Sequence, residues 1–178
     1  DWSWSRGLGD VYKRQTVYLN VSAHTIMHQE FCKIFSRFVE ENNIKENEFG
    51  LEITETAELE DTKKAGESLE RLKKRGIKIA LDDFGAGYAS LKYIRDLPID
   101  VVKLDRHFTS NISDPSTSRL IKFVSDVCAE LNLEMIGEGI ETEKEKNMMI
   151  ELGCLTGQGF LMHMPSFIED IKKENNDG

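Results

Sequence analysis

Carboxylates recur along this sequence at the ends of short apolar segments, where burying a charge without a purpose is costly. The polar residues at the six segment ends are Asn20, Glu52 with Glu55, Asp82 with Asp83, Lys103 with Asp105, Glu138, and Gln158. Carboxylates brought close together repel one another unless they bind cations or share protons. Carboxylate and amide oxygens are the ligands that hard divalent ions such as Mg²⁺ prefer. The pattern therefore suggests a metal site.

Each of these residues alone also has a purely structural interpretation. Glu52 and Glu55 could lie on a solvated strand face. Asp82 and Asp83 could cap a turn, and Lys103 could face outward. At any single position the structural interpretation is as good as the chemical one. The recurrence of such residues at successive segment ends is what favours the metal site.

The apolar segments that carry these residues have the composition of β-strands, and they alternate with helical patterns. The predicted strands are Thr16 to Val21, Phe49 to Thr54, Lys78 to Leu81, Val101 to Leu104, Glu134 to Gly137, and a short one near Thr156 to Leu161. This alternation predicts parallel βαβ units. A closed (β/α) barrel and an open doubly wound sheet both fit it. In a barrel all strand carboxyl ends share one face, so the polar residues would meet there.

Apolar residues at helical spacing predict helices with one buried face between the strands. In the first helix these residues are Ile26, Phe31, Ile34, Phe35, Phe38 and Val39, and in a helix from Thr117 to Leu131 they are Leu120, Ile121, Val124, Val127, Cys128 and Leu131. Asp61 predicts the N-cap of a helix that runs through Arg75 and stops at Gly76. Thr142 and Glu145 form a capping-box signature. Shorter helices are predicted around Leu91 to Leu97 and after Pro165.

The composition is that of one globular domain. The chain has 178 residues, of which 39% are hydrophobic and 31% charged, enough for one core and short for two domains. No apolar run approaches the roughly 18 residues of a membrane-spanning helix, so we expect no membrane contact from this segment. The formal net charge of −9 argues against binding a long nucleic acid. A small phosphate ester is compatible with this charge where metal ions or a lysine reverse it locally.

The three cysteines, Cys32, Cys128 and Cys154, are odd in number and widely spaced. Two of them fall at apolar positions of helical patterns. Buried free thiols in a reducing compartment fit this usage better than a disulfide framework does. We therefore expect a cytoplasmic protein.

Residues 1–15 differ from the rest of the chain. The segment contains both tryptophans and shows neither helical nor strand periodicity. It resembles translated adapter or vector sequence, and we interpret it as a non-native leader that precedes a domain over residues 16–178. An ordinary flexible N-terminal segment is the alternative.

Six short motifs occur in order between about Thr16 and Pro165. They are YLNVS, LEITE, ALDDFGAGYASL, VKLDRHF, GEGIET and QGFL. In order and separation the set resembles the successive motifs of EAL domains, and ALDDFGAGYASL is highly specific. The resemblance implies an α/β fold, the TIM-type (β/α) barrel. It also implies a metal-dependent phosphodiesterase, a hydrolase that converts the bacterial second messenger cyclic di-GMP to linear pGpG.

The resemblance assigns a metal-binding role to four of the residues at the strand ends. These are Asn20, Glu52, Asp82 and Asp83, and the cofactors it implies are two divalent ions, Mg²⁺ or Mn²⁺. Water bound to such an ion loses a proton near neutral pH, which makes it a nucleophile. The phosphodiester charge is neutralised in the same place.

The remaining residues at the strand ends match further positions of the family. Lys103 matches the lysine that orients the water and the phosphate, and Glu138 the glutamate usually assigned as general base or second-metal ligand. Gln158 and Asp105 match positions in the network around substrate and water. Glu55 matches the glutamate that anchors the loop after the third strand.

Two departures from the family shape the remaining expectations. The Glu-Ala-Leu motif that names the family is absent, as are the strands that should precede Thr16. A TIM barrel typically needs about 250 residues. We therefore expect an incomplete barrel with about six of its strands, a fragment that is inactive alone, and an active enzyme in the intact parent. We also expect a homodimer through the loop after Asp83. The alternative function is a non-catalytic receptor for cyclic di-GMP or a protein-interaction module.

Overall fold

The structure, a computed structural model, describes residues 16–54, 61–86, 90–162 and Met164. Within these residues six strands alternate with helices. The strands are β1 (Val17–Asn20), β2 (Phe49–Thr54), β3 (Lys78–Phe84), β4 (Val101–Leu104), β5 (Glu134–Gly137) and β6 (Thr156–Gly157). The helices are α1 (Ala23–Met27), α2 (Gln29–Glu41), α3 (Thr62–Lys73), α4 (Ser90–Asp96), α5 (Arg106–Ser110), α6 (Pro115–Glu130) and α7 (Glu143–Glu151).

The six strands form one parallel sheet in the order β1-β2-β3-β4-β5-β6. A doubly wound sheet reverses its strand order at a switch point, and this sheet does not. The strands curl into an incomplete barrel with the helices outside. Of the two architectures that the alternation of strands and helices left open, the strand order therefore selects the TIM-type barrel.

The two faces of the sheet have different surroundings. The outward face packs against the helices in the main core, which contains the buried strand residues Leu51, Ile53, Ile79, Leu81, Val102 and Leu104. On the inward face Ala80, Val101 and Ile136 form a smaller cluster, against which Tyr18 packs. Successive side chains of a strand point to opposite faces. The residues next in sequence to the outward ones, among them Glu52 and Lys103, therefore point inward.

The predicted N-caps at Asp61 and Thr142 are confirmed, whereas α3 ends at Lys73, two residues before the predicted Arg75. Asp61 Oδ1 accepts a hydrogen bond from the backbone N–H of Lys64 at 3.0 Å. The chain leaves α3 through Gly76, whose φ of +77° is the left-handed region that favours glycine. At α7 the capping box is complete, because Thr142 Oγ1 accepts from the N–H of Glu145 while Glu145 Oε2 accepts from the N–H of Thr142.

The first predicted helix is instead two helices, because His28 between α1 and α2 is extended. In α2 the buried face consists of Cys32, Phe35 and Val39. Ile34 and Phe38, which we expected on that face, flank it and are 65% and 42% exposed. The helical spacing was right, but the buried stripe is narrower than the apolar one.

The same correction applies to α6, which buries Ile121, Val124 and Cys128 but leaves Leu120 and Leu131 about half exposed. Further elements differ from the prediction, among them β3, which extends to Phe84 and does not end at Leu81. The last strand extends only over Thr156–Gly157, and α5, a one-turn helix after β4, was not predicted. The predicted helix after Pro165 lies outside the described residues.

All three cysteines are buried free thiols, as expected. Burial raises the pKa of the Cys128 thiol to about 11 and that of Cys154 to about 12. In the part of the chain that the structure describes, there is no helix with the length and apolar character to cross a membrane.

Candidate metal and catalytic site

Lys103 lies at the centre of a carboxylate cluster at the carboxyl ends of β2 to β5. Its nitrogen Nζ is 2.8 Å from Glu52 Oε1, 2.9 Å from Asp82 Oδ1 and 2.7 Å from Glu138 Oε1. The partners come from β2, β3 and the residue after β5. Lys103 is 5% exposed and Glu52 8% exposed, so these are buried ion pairs. One ammonium group therefore links the ends of four adjacent strands.

The strand register brings these distant residues together. Asn20 is opposite Glu52 on the neighbouring strand, and Lys103 is opposite Ile136, which lies two residues before Glu138. Residues two apart on a strand share a face. The inward side chains of adjacent strands therefore converge at one end of the sheet, where the active sites of parallel barrels lie.

Asp83 reaches the same place through an irregular backbone. The pairing of β3 with β4 shifts register between Leu81 and Phe84, and Asp83 has a φ of +54°, which is uncommon for a residue other than glycine. In a regular strand Asp82 and Asp83 would point to opposite faces. Here oxygen atoms of Asp82, Asp83 and Glu138 lie within 4.8 Å of one another. The irregularity thus allows two consecutive carboxylates to serve one site.

The electrostatics of the cluster favour a cation. Glu52, Asp82, Asp83 and Glu138 carry four negative charges when ionised, and Lys103 offsets one of them. Burial lowers the pKa of Lys103, but Glu138, Glu52 and Asp82 outweigh burial and raise it, so the ammonium is charged. Burial also raises the pKa of Glu138, against the opposing effect of Lys103. The net charge on this cluster is negative.

The donor atoms of the cluster fit a hard divalent ion. Mg²⁺ and Mn²⁺ bind carboxylate oxygens, and at least three such oxygens converge here. Asp82 Oδ1 is buried, and among the described residues it has the Lys103 ion pair but no hydrogen bond. A divalent cation would therefore offset the negative charge that Lys103 alone leaves on these oxygens.

Four other residues predicted for the site stand in different relations to it. Gln158 Nε2 donates a hydrogen bond of 2.6 Å to Glu138 Oε1. Asn20 ends the exposed strand β1, beside Glu52 in the register. Asp105 Oδ1 accepts a hydrogen bond of 2.8 Å from the N–H of His107 and caps α5. Glu55 lies outside the described residues.

Two glycines lie in the loops that follow the carboxylates and allow another element to pack closely there. We did not assign a role to either from the sequence. A side chain on Gly85, whose φ is +98°, would begin 2.1 Å from the ring of Phe108. A side chain on Gly139, with φ +65°, would begin 2.6 Å from Arg106 Cβ. Helix α5 thus packs closely on the loops after Asp83 and Glu138. The sequence does contain a signal for these two positions. Each glycine lies one or two residues after a carboxylate at a strand end, and a close approach of the backbone to another element requires glycine.

The EAL domain family model matches residues 4–165. A cyclic di-GMP phosphodiesterase from Pseudomonas aeruginosa is 33% identical over 155 residues, which cover 86% of this chain and 26% of that protein. The cyclic di-GMP phosphodiesterase PdeA from Borreliella burgdorferi is 38% identical over 148 residues, which cover 83% and 22%. The chain thus spans about a quarter of the length of these curated relatives.

A solved structure shows the same fold. The EAL domain of Mycobacterium smegmatis DcpA matches with a TM-score of 0.85 and 28% sequence identity, covering 92% of this chain and 74% of that one. The family match, the strand order and the carboxylate cluster at the strand ends all agree with one another. The chain belongs to the EAL domain family.

Proposed function

We propose that this chain is the catalytic part of a metal-dependent phosphodiesterase that hydrolyses cyclic di-GMP to linear pGpG. The observation that carries the proposal is the buried cluster in which Lys103 contacts Glu52, Asp82 and Glu138 within 2.9 Å. Holding like charges together in a buried place is costly, and a site for cations and a phosphodiester accounts for it. The relatives named as cyclic di-GMP phosphodiesterases supply the substrate class.

The proposed cofactor is a pair of divalent ions, Mg²⁺ or Mn²⁺. We assign their binding to Glu52, Asp82 and Asp83, with Asn20 as an amide ligand from the edge strand. When bound, such ions neutralise the phosphodiester and lower the pKa of a water molecule. Oxygen atoms of Asp82 and Asp83 lie within 4.8 Å of each other and of one of Glu138, which supports the assignment of those two aspartates.

Lys103 and Glu138 have separate roles in the proposed reaction. Lys103 stays protonated and offsets charge that develops on the phosphoryl oxygens. Both Lys103 Nζ and Gln158 Nε2 contact the same oxygen of Glu138, Oε1. We therefore assign Glu138 Oε2 to accept the proton of the attacking water. The raised pKa of Glu138 suits a general base, which works best with a pKa near the operating pH.

The reaction is a balanced hydrolysis. The water oxygen forms a bond to phosphorus, and the bond from phosphorus to one bridging ribose oxygen breaks. The leaving ribose oxygen takes up a proton from solvent, and the proton of the attacking water passes to Glu138, which releases it to solvent. One such step opens the ring to the linear dinucleotide.

The first experiment measures conversion of cyclic di-GMP to pGpG with Mg²⁺ and with Mn²⁺, for this chain and for the longer parent protein. Glu138→Gln should lower the rate by about 10² to 10⁴, as expected for loss of a general base, while binding of cyclic di-GMP stays near that of the unchanged protein. The matched control is Glu130→Gln, which changes an exposed glutamate at the end of α6.

The outcomes separate the two function classes. Turnover by the parent that Glu138→Gln abolishes supports the phosphodiesterase. Saturable binding of cyclic di-GMP without turnover by the parent, with either metal ion, contradicts it and indicates the receptor. Near-normal turnover by Glu138→Gln contradicts the assignment of the base alone.

Two further expectations are part of the proposal. We place the protein in the bacterial cytoplasm, which the three buried free thiols support. We also propose a homodimer through the loop after Asp83, supported by Leu91, an exposed apolar residue in α4 beyond that loop. Leu91→Lys should then shift the parent from dimer to monomer in light scattering, and an unchanged dimer would contradict that interface.

A further inference from the structure

A groove between α2 and α3, on the helical layer of the fold, has a charge opposite to that of the chain. It has a volume of about 530 Å³, and the charged residues that line it are Lys33, Arg37, Arg71, Lys74, Arg75 and Glu40. The chain as a whole carries a formal net charge of −9. With five cations and one anion, the groove therefore has a positive net charge, whereas the net charge of the whole chain is negative.

Within the described part of the chain, only some of these cations have an ion-pair partner. Arg75 forms an ion pair with Glu40, and Lys33 pairs with Glu30 at 3.0 Å. The structure shows no ion pair of Arg37, Arg71 or Lys74 with another described residue. These last three groups leave about three positive charges directed at the groove or its rim.

Helix stability explains part of this charge and leaves part unexplained. Arg71 lies in the last turn of α3 and Lys74 is its C-cap, where cations interact favourably with the helix dipole. Arg37 lies in the middle of α2, which has no basic residue in its last turn. It follows Lys33 by four residues, a spacing at which like charges disfavour a helix. The helix dipole and the ion pairs among the described residues therefore do not account for Arg37.

We propose that this groove binds a diphosphate group, either free or as part of a nucleotide. The planar guanidinium groups of Arg37 and Arg71 match phosphate oxygens in pairs, and Ser36 adds a hydroxyl to the lining. The volume is in the range of small-ligand pockets, about 300 to 1,000 Å³. The groove is formed by outer helices, whereas the carboxylate cluster lies at the strand ends, so one chain would carry two phosphate sites.

The test is calorimetric titration of the full chain with sodium pyrophosphate and, separately, with ADP, both in EDTA so that no divalent ion contributes. The double variant Arg37→Gln with Arg71→Gln should weaken binding at least about tenfold, since each charge-assisted hydrogen bond is worth roughly a factor of ten. The matched control is Lys63→Gln with Lys64→Gln, which removes two exposed cations from the other end of α3 and should leave the affinity unchanged.

A second variant, Ser36→Glu, keeps every cation and places a carboxylate in the groove. It should abolish binding, and its thermal unfolding should match that of the unchanged chain. Tighter binding of ADP than of pyrophosphate would indicate a nucleotide, and equal binding the diphosphate alone.

Three results would overturn the proposal. These are no saturable binding of either probe, an equal loss in the Lys63 and Lys64 control, or binding of a hexaglutamate peptide where pyrophosphate does not bind. The last result would assign the groove to an acidic peptide instead.

Discussion

The central and edge strands of the sheet differ in what they bury. Strands β2 to β5 are buried over most of their length, and the Lys103 cluster lies at their ends. In β1 three of the four residues are exposed, and β6 has only two residues. Leu19 of β1 and Leu51 of β2 are register partners, yet Leu19 is 39% exposed and Leu51 fully buried. Burial thus follows from neighbours on both sides more than from residue type.

This difference explains where the charges lie. A buried carboxylate needs a partner held in fixed geometry, and Lys103 on β4, between β3 and β5, provides it. Among the described residues, the carboxylates of the cluster come from β2, β3 and the end of β5, whereas β1 and the residue after β6 contribute amides: Asn20 beside Glu52, and Gln158 on Glu138. An amide stays neutral, so its exposure or rearrangement costs less than that of a charge.

Removing the central charge should have the largest effect. Lys103→Met leaves Glu52, Asp82 and Glu138 without their buried counterion, and we expect a loss of about 3 to 5 kcal/mol in the free energy of unfolding. Urea unfolding followed by circular dichroism measures it. Lys122→Met on α6, where the lysine is exposed, should change stability by less than about 0.5 kcal/mol. Equal losses in the two variants would mean that the cluster is not held by Lys103.

Leu19 and Leu51, which are register partners, test the difference in burial between β1 and β2 directly. Leu51→Ala should cost about 2 to 5 kcal/mol, because it leaves a cavity in the core. Leu19→Ala, which removes the same atoms one strand away, should cost less than about 1 kcal/mol because water already reaches that side chain. The same urea titration serves both. A large loss for Leu19→Ala would show that the edge strand is packed in solution.

Divalent ions should stabilise the centre of the sheet. Mn²⁺ at about a hundred times its dissociation constant should raise the free energy of unfolding by about 2.7 kcal/mol, because it binds the folded chain only. The double variant Asp82→Asn with Asp83→Asn should lose this increment, whereas Asp126→Asn on the surface of α6 should keep it. Thermal unfolding with and without Mn²⁺ measures the difference, and an unchanged increment in the double variant would place the ion elsewhere.

The smallest effect concerns Cys154, a buried residue next to the edge strand β6. Burial raises its pKa to about 12, while an unfolded thiol titrates near 8.5. Since the pKa is raised on folding, the stabilising contribution is complete below about pH 8.5 and falls as the pH rises towards 12. Cys154→Ala should therefore flatten the loss of stability between pH 9 and pH 10, by up to about 1.4 kcal/mol per pH unit. An unchanged slope would show that β6 opens readily.

Much of the fold could be predicted from local patterns. The strands Phe49–Thr54, Val101–Leu104 and Glu134–Gly137 have the predicted bounds, and the caps at Asp61 and Thr142 are present. Strand runs and caps depend on neighbouring residues in the chain, and that information is in the sequence. The candidate site residues could be named for the same reason, because each lies at or near the end of a predicted strand.

The local patterns did not reveal which apolar residues would be covered. Ile34 and Leu120 fit the helical spacing and are exposed, since spacing defines a face of a helix but not how much of it a neighbour covers. The patterns also did not reveal that Asp105, at the end of β4, caps the short helix α5. The first backbone N–H groups of a helix have no partner within the helix, and a carboxylate two residues earlier can accept a hydrogen bond from one of them. Where the chain turns decides whether a carboxylate at a strand end caps a helix in this way.

The sequence by itself determined the order of strands and helices, the helix caps and the set of carboxylates. The tertiary structure decided that Lys103 contacts three of them, that a backbone irregularity at Asp83 allows it to join Asp82, and that a basic groove forms between α2 and α3. The physical reason is the range of the interactions. Caps and periodicity act within one turn or strand, whereas ion pairs and grooves join residues that only the strand register and helix packing bring together.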